Sequence, residues 1–542
     1  MTSEIKSFLS KKHTGLFFII LAFAVKISMQ IAFFDIDGDK AVQLWAAKNL
    51  TEGHGLTLSY VALNDFSSVK FTPLVGWPPG YSVMVSPLLW LFNGNYKLAA
   101  LVFDIISICL FLYFLFRLIN YFSLQPWLKN LFILFAGFFF YPIGPSTCTD
   151  SISLSCMMAA LYCYLLLSEK RSVSPRLIIA AVLSAFLAGF FRYNYIPVSM
   201  LFPCLFVIAG VFNKNKWWVR NGIYSGVFLF ILISSLLLFQ HLYTGSIAFV
   251  NSRETGLFPG NLLKMYPVVP ASFIDIETCV SFFCNISNAD FFKTAALVIN
   301  ISAVFYFALV LYVIQWLFKK GKQINSHNDL YVYFASGISL AITGLLFWLS
   351  LRNSARISPF YNLWTYVQEY RYFIFVVIVL QLSAFVNLFN RYKHLNRFWK
   401  ITALGCASLM TVGLVHKMIY TGKIITSSPP FYSLPVFKNE AGQIINEFAK
   451  IKNQSQGQEV VFFFPDLNYG SYAGLENLKT AVIPTATEQL SFFEKVAPGK
   501  LVFLIPENMR DFYSSLLNLK NRIPEAIIEK QYIYVIDAGR NK

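Results

Sequence analysis

Eleven stretches of 16 to 24 mostly apolar residues recur along this 542-residue chain, at about 15–34, 97–118, 128–144, 150–168, 176–191, 195–212, 221–240, 294–317, 330–350, 371–389 and 399–417. A helix needs about 20 apolar residues to cross the hydrocarbon core of a bilayer. The pattern therefore predicts a polytopic α-helical membrane protein with about 11 transmembrane helices. Composition agrees: hydrophobic residues make up 56% and charged residues 13%, against ~45–50% and ~25% in ordinary soluble domains. A disordered, collagen-like or ordinary soluble chain is excluded. The fifth and sixth runs are short and separated only by Arg192-Tyr193-Asn194. The first is too long for a cleavable signal peptide and lacks a small-x-small cleavage site before Asp35.

The net charge of +17 would suggest nucleic acid if it lay on one soluble face. Instead the basic residues fall between apolar runs, so the expected partner is the lipid bilayer and not nucleic acid. Alternate gaps hold Lys11/Lys12, Arg117/Lys129, Lys170/Arg171/Arg176, Lys214/Lys216/Arg220, Lys319/Lys320/Lys322 and Arg391/Lys393/Arg397/Lys400. All have one parity, as the cytoplasmic side demands. The N-terminus is then cytoplasmic, and residues 35–96, 241–293, 351–370 and everything after about 420 lie outside. The eight cysteines form no CxxC motif. Cys109, Cys156, Cys163, Cys204 and Cys406 lie in apolar runs and are expected to be buried, whereas Cys279 and Cys284 share an outer loop where a small disulfide is one option.

From about 425 the chain changes character. Glu459–Phe464, Lys479–Ile483, Lys500–Ile505 and Gln531–Ile536 read as short strands, and Asn439–Lys452, Glu488–Val496 and Met509–Leu519 as amphipathic helices. Strand–helix alternation predicts a small α/β domain outside the membrane. No internal repeat or low-complexity segment is present.

Two ionisable residues lie well inside predicted spans, Lys26 in the first and Asp104 in the second. An unpartnered charge there costs about 2.5–3.5 kcal/mol on insertion scales. Counted at about 1.5 Å per residue, both lie about 10–12 Å below the outer surface. The expectation is a structural ion pair between them; the alternative is Lys26 snorkelling alone.

Residues 35–96 are too long for a passive connection. The loop opens Asp35-Ile36-Asp37-Gly38-Asp39 and continues as a helix over Ala41–Leu50, expected to lie on the membrane surface. Gly53 and Gly55 end it, and Trp77-Pro78-Pro79-Gly80-Tyr81 makes a rigid turn. The acids have a plain reading, since Asp37 or Asp39 can cap the helix. Three in five residues exceed what a cap needs. The DxD spacings of Asp35, Asp37 and Asp39 are a weak signal for a divalent cation, and a general base needs only one carboxylate facing a hydroxyl.

Asp39-Lys40-Ala41 through Ala47-Lys48-Asn49-Leu50, then Glu52-Gly53-His54-Gly55-Leu56 and Pro78-Pro79-Gly80-Tyr81, resemble the first outer loop of GT-C glycosyltransferases. The branch is the one holding protein O-mannosyltransferases and the lipid A aminoarabinose transferase. Asp150 after Ser146-Thr147, Phe191-Arg192-Tyr193, Glu369-Tyr370-Arg371-Tyr372, and Tyr469–Leu475 leading to Val482-Ile483-Pro484 extend the likeness loosely over the whole length. Two departures stand out. Lys40 replaces the usual Glu after the catalytic Asp, and Trp77 stands where a Lys or His often precedes Pro-Pro.

The resemblance implies a GT-C-like catalytic domain over 1–424, whose outer loop 35–96 carries the catalytic motif, and an extracytoplasmic α/β domain over 425–542. It implies transfer of a sugar from a polyprenyl-phosphate donor to an acceptor hydroxyl, with inversion, at the outer surface of the bundle; the short loops and lack of extended insertions suggest a bacterial inner membrane, so that this is its periplasmic face. Asp39 is then the candidate base. Asp150 assists or positions the acceptor, or caps the fourth span. Arg192 and Arg371 are the candidates for the donor phosphate because a guanidinium fork grips two oxygens, with Lys70, Arg352 and Arg356 in reserve; anchoring to lipid headgroups is the alternative for each. No cofactor is implied beyond the weak cation option. His54 and His241 read as bystanders. Trp364, Tyr366, Tyr266 and Phe258 are placed to stack on sugars or to serve interfacial belts, and 241–293 reads as a lid. The rivals are a polytopic transporter, which would show paired interrupted helices and a repeat, and a lipid-linked glycan ligase. The sugar is open, and the acceptor can be a glycan, a lipid or a protein.

Overall fold

The computed structural model describes residues 12–32, 34, 36, 38–62, 65–75, 77–138, 149–245, 291–320, 324, 327–352, 374–427, 440–455, 458–465, 467–483, 499–517, 522–528 and 530–538. The described part of each of the eleven apolar runs is helical, Phe34 excepted. In chain order, the helices are α1 (Lys12–Ala32), then α2 (Gly38–Thr51) and α3 (Gly80–Leu91) in the first loop. There follow α4 (Tyr96–Tyr121), α5 (Pro126–Phe138), α6 (Asp150–Ser168), α7 (Pro175–Phe191), α8 (Tyr195–Phe212) and α9 (Lys216–Thr244). The bundle continues with α10 (Phe291–Lys320), α11 (His327–Arg352), α12 (Ile374–Ser383), extended by a π-helical turn at Ala384–Phe389, and α13 (Arg397–Ser427). Among the described residues six helices are long and apolar enough to cross a membrane: Thr14–Ala32, Tyr96–Tyr121, Asp150–Ser168, Tyr195–Phe212, Lys216–Thr244 and Arg397–Val415. The chain is an integral membrane protein.

Hydrogen bonds draw the basic gaps together in pairs at one end of the bundle. Asn390 Nδ2 donates to the Ser123 carbonyl at 3.2 Å, the Ile324 amide to Asn213 Oδ1 at 2.8 Å, and Trp218 Nε1 to the Ser168 carbonyl at 2.8 Å. The opposite end is capped by the first loop and the tail. There Gly53 and Gly55 both take left-handed backbone (φ +87° and +74°) and turn the chain out of α2 into an antiparallel hairpin, β1 (Thr57–Ala62) and β2 (Asp65–Pro73).

The tail folds as α14 (Glu440–Gln454), β3 (Val460–Phe464), α15 (Leu467–Leu475), β4 (Lys479–Val482), β5 (Gly499–Pro506), α16 (Arg510–Leu516), β6 (Ala526–Ile528) and β7 (Gln531–Ala538). The sheet order is β4-β3-β5-β7-β6, parallel from β4 to β5 and antiparallel at β7 and β6. The expected helix Glu488–Val496 lies outside the described residues, as do Cys279 and Cys284.

Two expectations change. The helix expected on the membrane surface is buried on nearly every side, from Lys40 to Ala47 and at Asn49, because α3, β1 and α15 enclose it. Of the five cysteines expected to be buried, Cys204 is exposed and Cys109 only half-buried, which lipid-facing positions explain: an apolar run marks contact with lipid as readily as contact with protein.

Candidate functional site

Asp39 opens the first turn of α2, and the next residue fixes where that turn sits. Lys40 Nζ lies 2.9 Å from Asp104 Oδ2, with no side-chain exposure on the lysine and 7% on the acid. Gln30 Nε2 donates to the same oxygen at 3.1 Å, and the Phe34 ring lies 5.4 Å from the ammonium. The carboxylate predicted to meet Lys26 therefore meets Lys40. Its level on α1 is marked by Gln30, one helical turn (about 6 Å) nearer the capped end than Lys26, and α2 descends far enough to bring Lys40 to that level. Lys26 is itself buried in α1.

From Lys40 the site extends through packed neighbours. Gln43 Nε2 donates to the Asp39 carbonyl at 3.2 Å, and Ser82 Oγ to the Gln43 carbonyl at 2.8 Å, tying α2 to α3. At Gly80, a Cβ would stand 2.5 Å from the Phe190 carbonyl oxygen. Only glycine lets the Pro-Pro-Gly-Tyr element lie against the last turn of α7. Tyr81 meets Phe103 edge-on at 5.2 Å, and Phe103 lies 6.3 Å from Phe191. These three rings join the residue before Asp104 to the residue before Arg192.

Arg192 caps the C-terminus of α7 in extended conformation (φ −152°, ψ 113°), and its guanidinium forms an ion pair with Asp150 in the first turn of α6. An acid at a helix N-terminus and a cation at a C-terminus each sit favourably in the helix dipole. The pair is asymmetric: the Asp150 side chain is 1% exposed and that of Arg192 13%. The guanidinium thus keeps a reachable face beside its partner. Next to it a narrow cleft is lined by Trp77, Pro79, Tyr193, Leu236, Gln240 and Tyr243. The side-chain oxygen Oε1 of Gln240 is buried there with no hydrogen-bond partner among the described residues.

Asp150 and Arg192 are thus the two predicted site residues brought into contact. Lys70 is an exposed residue of β2, across from Tyr60. Asp35, Asp37, Arg356 and Arg371 lie outside the described residues, as do 246–290 of the expected lid and Trp364, Tyr366, Tyr266 and Phe258; Arg352 ends α11, its side chain undescribed. His54 stacks on Phe71 at 3.9 Å between centroids. Among the described residues no group of three His, Cys, Asp or Glu forms a metal site.

The contact between α15 and α2 is not among the sequence expectations. A Cβ on Gly474 would fall 2.2 Å from Trp45 Cε2, so glycine there lets the tail lie directly on the indole. Lys48 Nζ donates to the Gly474 carbonyl at 3.3 Å and also to Asn477 Oδ1. Burial pushes the Lys48 ammonium down from its ordinary range, opposed by Glu52 and Glu476. Lys97 lies 3.7 Å from Glu476, and Thr480 Oγ1 donates to the Ser59 carbonyl at 3.3 Å. The signal available in sequence was the pair of glycines in Tyr469–Leu475, which weakens a helix unless close packing needs them.

No family model matches this sequence, and no curated protein matches it. Among solved structures the chain is similar to two crystal structures of ArnT from Cupriavidus metallidurans, one bound to undecaprenyl phosphate and one in the apo state. Identity is 11% to each, with 96% of this chain and 97% of those chains covered, and the TM-scores are 0.42 and 0.45.

Proposed function

We propose that this protein is a membrane glycosyltransferase of the GT-C kind, moving a sugar from a polyprenyl-phosphate carrier to an acceptor hydroxyl at the capped end of the bundle. The charge pattern supports an extracytoplasmic position for that end, and a periplasmic location belongs to the same reading. Residues 1–424 form the catalytic unit in this reading, and 425–542 an α/β domain on the same side. The observation that supports it is the Asp150–Arg192 pair, exposed only on its cationic side, linked by the Tyr81–Phe103–Phe191 rings to the neighbour of Asp104, whose ion pair with Lys40 reaches the helix that presents Asp39.

The acceptor hydroxyl oxygen attacks the anomeric carbon from the side opposite the phosphate, with inversion. Its proton passes to the Asp39 carboxylate. The carbon–oxygen bond to phosphate breaks, and the departing oxygen keeps the electron pair. The accessible face of Arg192 meets that charge, while Asp150 holds the guanidinium in place. Arg371 is a second cation for the same anion. The reaction requires no redox or organic cofactor, and Asp35, Asp37 and Asp39 are the residues a divalent cation would use.

The test is an assay in liposomes containing the lipid-linked sugars extracted from the expression host, with release of polyprenyl phosphate followed by mass spectrometry. Asp39→Asn is expected to slow release by about 10²–10⁴-fold, the usual worth of a general base, with unchanged expression and elution. An unaltered rate would remove Asp39 as the base. Absence of release by the unmodified protein, with any acceptor fraction added, would remove the glycosyl-transfer reading.

A further inference from the structure

At the end opposite the candidate site, α5, the π-helical turn and α13 stand apart and leave a groove of about 660 Å³. Its mouth is polar, with Gln125, Asn390, Lys393 and His394, and with Trp127 at the rim. Its walls are apolar, built from Leu131 and Phe135 on α5, Phe385 and Phe389 on the π turn, and α13 from Ala403 to Leu414. The π turn contributes directly, since one extra residue per turn sets Phe385 and Phe389 along the groove. Phe385 is held there edge-on against Phe132 at 4.8 Å.

The dimensions suit one kind of occupant. From Ala403 to Leu414 the helix rises about 16 Å, close to the depth of one leaflet of a hydrocarbon core about 30 Å thick. The groove therefore starts at a headgroup level and runs inward about as far as one acyl tail. Charge selects the headgroup. Residues 384–400 carry Arg391, Lys393, Arg397 and Lys400, residues 122–135 carry Lys129, and neither segment contains an Asp or Glu. Lys393 and His394 are exposed. Tryptophan at the rim is the side chain expected at a membrane–water boundary.

We infer that this groove is a binding site for an anionic phospholipid of the cytoplasmic leaflet, with its phosphate at Lys393 and His394 and one acyl tail against Phe385, Phe389 and α13. The site is separate from the proposed sugar-transfer centre and does not depend on it.

The experiment uses the full-length protein, delipidated in detergent and then titrated with phosphatidylglycerol, phosphatidylcholine or inorganic phosphate. Bound lipid is counted by native mass spectrometry, and thermal unfolding is followed in parallel. One phosphatidylglycerol is expected to bind in preference to phosphatidylcholine and to raise the unfolding temperature, with inorganic phosphate doing neither. Lys393→Ala should weaken that binding about fivefold, the worth of one basic residue at an anionic surface. Leu404→Trp, at an outward-facing wall residue that is 56% exposed, should fill the groove and abolish it. Lys170→Ala, at another basic gap, should change nothing. Equal retention of the two lipids, retention by Leu404→Trp, or an equal effect of inorganic phosphate would overturn the assignment. So would a dimer that lipid fails to dissociate, because the groove would then be covered by a second copy.

Discussion

The capped end of the bundle holds two acid–cation pairs that differ in one respect. Lys40 and Asp104 are shut in, with the lysine wholly buried and Gln30 completing the carboxylate. Asp150 is just as deeply buried, but its partner Arg192 is 13% exposed. A pair whose cation is wholly buried has no positive charge to offer a ligand, so its role is to hold backbone in place. A pair whose cation keeps some exposure places that positive charge nearer to an incoming anionic group. The first fixes the turn that presents Asp39; the second offers positive charge. Neither role follows from the charges alone, since both pairs join one acid to one base across helices distant in sequence.

Breaking the closed pair should have the largest effect. Asp104→Asn leaves the Lys40 ammonium buried without a counter-charge and should cost about 3–5 kcal/mol, read as thermal unfolding in detergent. The double variant Lys40→Met with Asp104→Leu should regain most of that loss, since apolar residues often replace buried pairs at little cost. A single variant as stable as the parent would show that the pair anchors nothing.

The open pair should respond differently. Arg192→Gln is expected to slow sugar transfer by about 10²–10³-fold, comparable to removing one donor to a developing anion. Adding Asp150→Asn should restore the unfolding temperature and leave transfer slow. Recovery of both would make the second pair as structural as the first.

A smaller effect is expected where the tail meets α2. Gly474→Val forces a side chain into the Trp45 indole and should cost about 1–3 kcal/mol, the range for overpacking. Limited proteolysis should then cut within 440–538 sooner than in the parent. The smallest effect belongs to the half-exposed Lys97–Glu476 contact. Lys97→Ala should shift stability by less than about 1 kcal/mol, measured by the same unfolding curves.

Much of the helical framework is legible in the sequence. Asp150–Ser168 and Tyr195–Phe212 begin and end where the apolar runs do, because lipid leaves little choice about where backbone hydrogen bonds are made. The strands of the tail are similarly readable, and β3 differs from expectation by one residue. Other elements were missed for identifiable reasons. Pro87 hid α3, although the helix accommodates it. The alternation in Thr57–Ala62 was a strand signal within a loop read as helix and turn. The glycines of α15 weaken a helix in isolation, and contact with Trp45 is the reason for Gly474.

Within the site, sequence singled out Asp39, Asp150 and Arg192, and depth counting placed Asp104 near the right level. Counting could not choose its partner. Two lysines, Lys26 and Lys40, were available, and the choice depends on how far α2 descends between its neighbours.

The sequence by itself determined that this chain enters a membrane, roughly where its helices run and which gaps gather at one end, because hydropathy and charge act locally against lipid and water. Tertiary structure decided which buried charges meet, which of the two pairs stays open and which surface of α2 the tail covers. Those outcomes depend on distances between residues 42 to more than 400 positions apart, where shifting a helix by a single turn exchanges one partner for another.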